Sequence, residues 1–248
     1  MGGARYDRIG TTYTATRHAD PRIEEAIREA LGDARTVVNV GAGTGAYEPD
    51  DREVIAIEPS ATMLEKRATP AVQGVAEALP LDDKSVEAAL AVSTLHHWSD
   101  VPRGLAELRR VARERIVIFT WDTAFAGRFW LTRDYVPEIE TWTIGRLPTL
   151  AQVAEVLGPV ERRPVPVPRD CQDGFLRAYW ARPEAYLDEG VRRNISQFNL
   201  VDPEEVRRGV ELLAGDLADG TWDARNGQLR ELDELDLGYV LLVARAAP

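Results

Sequence analysis

Residues Val37-Val38-Asn39-Val40-Gly41-Ala42-Gly43-Thr44-Gly45-Ala46-Tyr47 run from an apolar, β-branched stretch into three alternate glycines. A short apolar run that ends this way reads as a buried parallel strand feeding a turn where the backbone passes close to a ligand. Two kinds of ligand compete for the turn. The spacing of Gly41, Gly43 and Ala46 satisfies the dinucleotide pattern, in which a following helix aims its N-terminus at a pyrophosphate. Here only Ala46 to Glu53 separate the loop from the next apolar run, Val54-Ile55-Ala56-Ile57, and Pro49 interrupts them. Glu48, Asp50 and Asp51 in that short stretch would repel a phosphate. The loop suits an uncharged neighbour better.

Working outward from the loop, the chain resembles the class I S-adenosylmethionine-dependent methyltransferases, in particular the type 11-like small-molecule group. The likeness rests on Asn39 to Gly45, Glu58-Pro59-Ser60 through Met63, Ala76-Glu77-Ala78-Leu79-Pro80-Leu81, and Ser93-Thr94-Leu95-His96-His97-Trp98, four motifs in the family's order. It implies S-adenosylmethionine as cofactor, held at Gly41, Gly43 and Gly45 and by Glu58 through the ribose hydroxyls, a role an acid at the tip of the second strand also plays in NAD sites. Asn39 stands where the family more often has an acid and can still orient the loop by hydrogen bonds. Pro59 and Met63 are implied near the adenosine. Val75 stands where the family often has an aspartate for the adenine amino group, which leaves the backbone of Ala76 or the side chain of Glu77 for that task and Leu79 to cover the ring. The leader holds Tyr13 and Arg17, four apart and on one face if helical, where the family often brings such residues near the methionine carboxylate.

The strand before Ser93 and Thr94 should end beside the glycine loop, because ligands in doubly wound sheets bind at the carboxyl ends of the strands where the order reverses. His96 and His97 therefore have three readings: metal ligands, a base or substrate contact, or packing. Metal is the weakest, since adjacent histidines usually point apart and no cysteine or third histidine stands nearby. Asp122, just past the fifth strand, is a further candidate base.

Composition narrows the partners. The chain has 248 residues, 44% of them hydrophobic, and a net charge of −11, which disfavours nucleic acid and anionic membrane surfaces. Cys171 is the single cysteine, and no apolar run has the length of a signal peptide or membrane span, so a cytoplasmic protein is expected. A homodimer stays open.

The expected fold is a doubly wound, Rossmann-like α/β sheet of seven strands, five parallel and the last antiparallel. Its strands are placed at 37–40, 54–57, 72–75, 88–92, 115–120, 160–167 and 238–244. Asp20-Pro21 should start a helix ending at Gly32, and further helices are expected at 60–67, through Leu105, Leu108 and Val111, at 149–157 and from Asp202-Pro203 to Gly220. Residues 1–167 and 238–248 would form the cofactor-binding core and 168–237 a helical cap. Residues 123–147 and 168–237 are aromatic-rich, and Trp130, Tyr179, Trp180 and Phe198 are expected either to wall an acceptor pocket or to hold the cap together. The reaction implied is methyl transfer to a small, partly apolar acceptor. An NAD-dependent oxidoreductase and a non-catalytic methyltransferase-like binding protein are the competing readings.

Overall fold

The computed structural model describes residues 18–246. Tyr13 and Arg17 lie outside the described residues. Helix α1 (Pro21–Leu31) forms as its sequence dictates: the Asp20 carboxylate accepts from the Arg22 amide at 3.0 Å, Pro21 takes the first turn, and Gly32 closes the helix.

The main sheet holds β1 (Thr36–Val40), β2 (Glu53–Glu58), β3 (Val72–Gln73), β4 (Val86–Val92), β5 (Ala112–Trp121), β6 (Val160–Pro164) and β9 (Tyr239–Arg245) in the order β3-β2-β1-β4-β5-β9-β6. β1 to β5 pair in parallel, and β9 runs antiparallel between β5 and β6. β6 thus points the same way as the first five, which makes six strands in one direction rather than five. The third strand is shorter than its sequence suggests, because the chain turns at Gly74 and Val75 bridges back to Ala78. The sixth ends at Pro164; the Val165 amide still donates to the Tyr239 carbonyl at 2.8 Å, and Pro166 beyond it has no N–H to continue. Val167–Pro168 (β7) instead pairs with Glu234–Leu235 (β8), so the two ends of the long insertion meet in a ladder of their own.

Helices α3 (Val101–Val111) and α5 (Leu150–Leu157) cover one face of the sheet, against Val38, Ala89, Ile116, Ile118 and Leu242. The short α2 (Ala61–Leu64) follows β2, and α4 (Pro137–Ile144) lies in the first aromatic-rich segment. The opposite face is built differently. Parallel strands are usually joined by a helix laid against the sheet, but the β1–β2 crossover contains none. α1 covers part of that face with Ile23, Ile27 and Leu31, and the insertion fills the rest with Val167, Leu176 and Trp180 in one continuous core. A buried polar knot fixes it there. The Tyr47 hydroxyl donates to Asp173 at 2.9 Å and accepts from the Asp20 amide at 3.3 Å, while the Gln172 amide donates to Asp20 at 3.0 Å.

The rest of the insertion holds α6 (Glu189–Arg193), α7 (Pro203–Ala218) and α8 (Thr221–Asn226). Gly209 lets α7 pass against the backbone of Tyr135, where any Cβ would collide. Tyr135 in turn donates to Asp216 at 2.8 Å. The two aromatic-rich segments are thus one packed body.

Candidate active site

At the carboxyl ends of β1, β2, β4 and β5 lies a cavity of about 340 Å³, a size suited to a small molecule. Asn39, Gly41, Gly43, Glu58, Pro59, Met63, Ala76, Glu77, Ser93, Thr94, His96 and His97 all reach its wall. The glycine loop explains why these residue types are needed. Gly41 has φ +71° and abuts Thr94 so closely that a side chain would strike its hydroxyl; Gly43 has φ +53°, and a Cβ there would enter open space. The loop's N–H groups are already committed: Gly41 and Ala42 donate to the Ile57 carbonyl at 2.9 and 3.0 Å, Gly43 to Glu58 at 2.8 Å and Gly45 to Ala42 at 2.9 Å. A pyrophosphate cradle needs such groups unspent and a helix behind them, and neither is present. Below the loop, Arg67 donates to the Gly43 carbonyl at 3.0 Å and pairs with Glu48 at 2.6 Å, while the Asn39 side-chain amide donates to Glu48 at 3.0 Å. Sequence reasoning missed this clamp.

Glu58 sits at the tip of β2, 6% exposed, accepting from the Gly43 amide and from the Ser60 amide at 2.9 Å. Burial pushes its pKa up, against the pull of those two N–H groups and of Arg67. Met63 lies beside it, buried, with its amide donating to the Ser60 cap at 3.3 Å. Glu77 has a different task from the expected one. Its carboxylate accepts from the Ser99 amide at 2.6 Å, the Ser99 hydroxyl at 2.9 Å and the Asp100 amide at 3.0 Å, which fixes the turn before α3. Burial would raise its pKa, but these donors hold it below the usual glutamate range. These contacts all use Oε1, and Glu77 still lines the cavity beside Ala76. Leu79 does not line the cavity; it packs in the core of the α3 face, its amide donating to Glu107 at 2.8 Å. Among the described residues, one sealed polar atom each of Asn39 (Oδ1) and Trp98 (Nε1), two residues of the wall, has no protein partner.

At the tip of β4, Ser93 takes φ +49° and Leu95–His97 form one 3-10 turn. This turn sets the two imidazoles 3.7 Å apart between centroids, so they do not point apart as adjacent histidines usually would, and Trp142 meets His96 edge-on at 6.2 Å. His97 is exposed where it lines the cavity, although protein atoms crowd around its ring. Its pKa lies well below the ordinary histidine range, first because of burial and then because of repulsion from His96. Among the described residues no group of three metal-ligating side chains occurs. Asp122 is not beside the histidines and does not line the cavity. It caps the Thr123–Phe125 turn, accepting from the Ala124 amide at 3.0 Å, and its other oxygen pairs with Arg162 at 3.3 Å. It is withdrawn as a base.

Past the histidines, Trp121, Phe175, Tyr239 and Arg177 extend the wall, with Ser196 and Gln197. Trp130, Tyr179, Trp180 and Phe198 line no part of it. Trp130 is the hub of the insertion's core, edge-on to Trp222, Tyr186 and Tyr135 at 5.3 to 5.9 Å, and its indole donates to the Trp180 carbonyl at 2.8 Å. These large side chains are spent on the insertion's own core, which is continuous with the cluster on the sheet face.

With that geometry in hand, known proteins can be compared. The methyltransferase domain family matches residues 38–119. An uncharacterized methyltransferase of Mycobacterium tuberculosis is 30% identical over 190 residues, 70% of this chain and 69% of its own length. The solved structure of a provisionally named methyltransferase from an antibiotic biosynthesis pathway of Anabaena variabilis superposes with a TM-score of 0.86 at 34% identity, covering 93% of this chain and 99% of that one. The [4+2]-cyclase SpnF shares the fold at a TM-score of 0.56 and 18% identity, over 98% of this chain and 94% of its own. The chain belongs to the class I S-adenosylmethionine-dependent methyltransferases. Membership implies that cofactor, and the dinucleotide reading falls. Among the described residues no helix is long and apolar enough to cross a membrane.

Proposed function

We propose that the protein methylates a small, partly apolar organic acceptor, with cofactor and acceptor sharing the cavity at the carboxyl ends of β1, β2, β4 and β5. The observation that carries this is the composition of the wall, which changes from glycine backbone and Glu58 at one end to Trp121, Phe175 and Tyr239 at the other. Gly43 would give the cofactor room, with Gly41 packed on Thr94 and Gly45, off the cavity wall, on the Glu48–Arg67 pair to shape the loop; Glu58 would accept from the ribose hydroxyls, and Pro59, Met63 and Ala76 would border the adenosine. When bound, S-adenosylmethionine supplies a methyl group on a sulfonium, an electrophile already activated. The chain's own share is then alignment and exclusion of water, which the insertion's buried wall provides. His97, kept neutral near pH 7, would take the proton from an acceptor hydroxyl or acidic carbon.

The test is calorimetry with S-adenosylhomocysteine and NAD on the wild type and on Gly43→Val. The wild type should bind the homocysteine compound and not NAD, and the variant should keep its fold and lose binding. Preserved affinity in the variant, or preference for NAD, overturns this reading of the loop. Methyl transfer from labelled S-adenosylmethionine into a metabolite extract would separate an enzyme from a binding protein.

A further inference from the structure

Arg177 is the least expected side chain in the wall. Its guanidinium is 3% exposed, stacked over the Trp121 ring at 4.1 Å and close to Phe129 at 5.4 Å. Among the described residues its one hydrogen bond joins Nη2 to Glu140 Oε1 at 3.3 Å. Glu140 is occupied on both sides besides, accepting from the Gly127 amide at 2.7 Å and the Thr132 hydroxyl at 3.2 Å. Among the described residues Nε and Nη1 have no acceptor, and neither is one of the atoms sealed from solvent without a partner. With Arg177 on the cavity wall, these two donors open into the cavity.

We infer that Arg177 recognises a carboxylate on the methyl acceptor, so that the substrate class is a small aromatic or otherwise apolar carboxylic acid. The inference rests on the reading of this cavity as the acceptor site. A buried guanidinium carries a large desolvation cost, and a single long contact to Glu140 offsets this poorly. A carboxylate oxygen accepting from Nη1 or Nε would add the charge-assisted hydrogen bond that the guanidinium lacks, and arginine keeps its charge in such a site where a lysine can lose it. Glu140 engages Nη2 and the two rings lie against the guanidinium, which leaves those two donors for a ligand. Trp121, Phe175 and Tyr239 supply the apolar wall for the rest of the molecule, with Phe175 edge-on to Tyr239 at 4.7 Å. The chain is acidic overall, at −11, so a cation buried in its site also offsets a field that would otherwise turn an anionic substrate away.

The experiment uses the full chain saturated with S-adenosylhomocysteine and measures, by calorimetry, benzoate, phenylacetate and trans-cinnamate against their primary amides. At least one acid should bind about tenfold or more tightly than its amide, the usual margin of a charge-assisted hydrogen-bond pair over a neutral one. Arg177→Gln should remove that preference and Arg177→Lys should recover only part of it, with S-adenosylhomocysteine affinity within about twofold of wild type in both. Because removing Arg177 leaves Glu140 buried without its partner, Glu140→Gln is the second variant; it keeps the guanidinium and should keep the preference for acids. No preference for any of the acids in the wild type, or an equal preference in Arg177→Gln, overturns the inference while leaving the cofactor site standing. Failure of S-adenosylhomocysteine to bind the wild type would instead overturn the reading of the site on which the inference rests.

Discussion

Glu58 holds its proton more tightly than an ordinary glutamate because burial disfavours its charge. In the folded chain without cofactor the carboxyl therefore stays neutral to a pH above the usual 4.5, and its ionisation costs stability as pH rises through that interval. Hydroxyl donors favour the ionised form, so a cofactor that donates to Glu58 binds better once the proton is gone. Affinity for S-adenosylhomocysteine should rise from mildly acid pH and level off near neutrality. Glu58→Gln should flatten that dependence and weaken binding at neutral pH by about 1.5 to 3 kcal/mol. An unchanged pH profile in the variant would place the titrating group elsewhere. His97 carries the opposite shift. Lowered from 6.5, it stays neutral to more acid pH than a free imidazole and remains able to accept a proton there. If it is the base, His97→Gln should cut kcat by about a hundredfold or more with S-adenosylhomocysteine affinity unchanged. A rate within a few-fold of wild type would leave His97 a positioning role only.

Among the elements, those governed by local sequence were legible and those governed by distant partners were not. α1 announces itself through Asp20-Pro21, its 3.6-residue apolar period and Gly32; β1, β2, β4 and β5 through short β-branched runs; and the cofactor loop through its glycines. Glu77 and Asp122 stand where sequence order puts binding residues, yet both carboxylates cap turns. The capping of Asp122 acts two residues along the chain and resembles many Asp-initiated turns, whereas that of Glu77 reaches residues 99 and 100, which no local pattern shows. Arg177 was invisible as one arginine in a chain with many and only two lysines. The missing β1–β2 helix was legible, but its consequence for the opposite face was not, since nothing local says which distant segment will fill the gap. Tyr47, at the foot of that crossover, tests the substitution of insertion for helix. Tyr47→Phe removes one donor to Asp173 and the hydroxyl that accepts from the Asp20 amide, so unfolding free energy should fall by about 1 to 3 kcal/mol. A loss well under about 0.5 kcal/mol in urea titration would mean that water replaces the hydroxyl at no cost.

For the whole molecule, the sheet face, α1 and the insertion share one buried cluster. The boundary at residues 168 and 237 is thus a boundary in sequence that the core ignores. Heat or denaturant should unfold the chain in a single transition whether followed by tryptophan fluorescence, to which Trp180 and Trp222 of the insertion contribute beside four tryptophans outside it, or by far-ultraviolet dichroism. A chain in which a short glycine linker replaces 168–237 should fail to fold, because it would expose Val37, Leu90, Val117 and Phe119 to water. A soluble, cooperatively folded product of that deletion would show the insertion to be an independent cap after all.

The absence of a helix between β1 and β2 reaches beyond architecture. In a protein whose lid merely sits on a finished core, the lid can drift, lengthen or be exchanged, and only the choice of substrate changes. Here Phe175 and Arg177, facing the cavity, stand within a few residues of Leu176 and Trp180, which seal the sheet. The same dozen residues answer to two selections at once, so a new acceptor specificity cannot be grafted on as a cassette. It must arise by point changes on one side of a peptide whose other side is pinned.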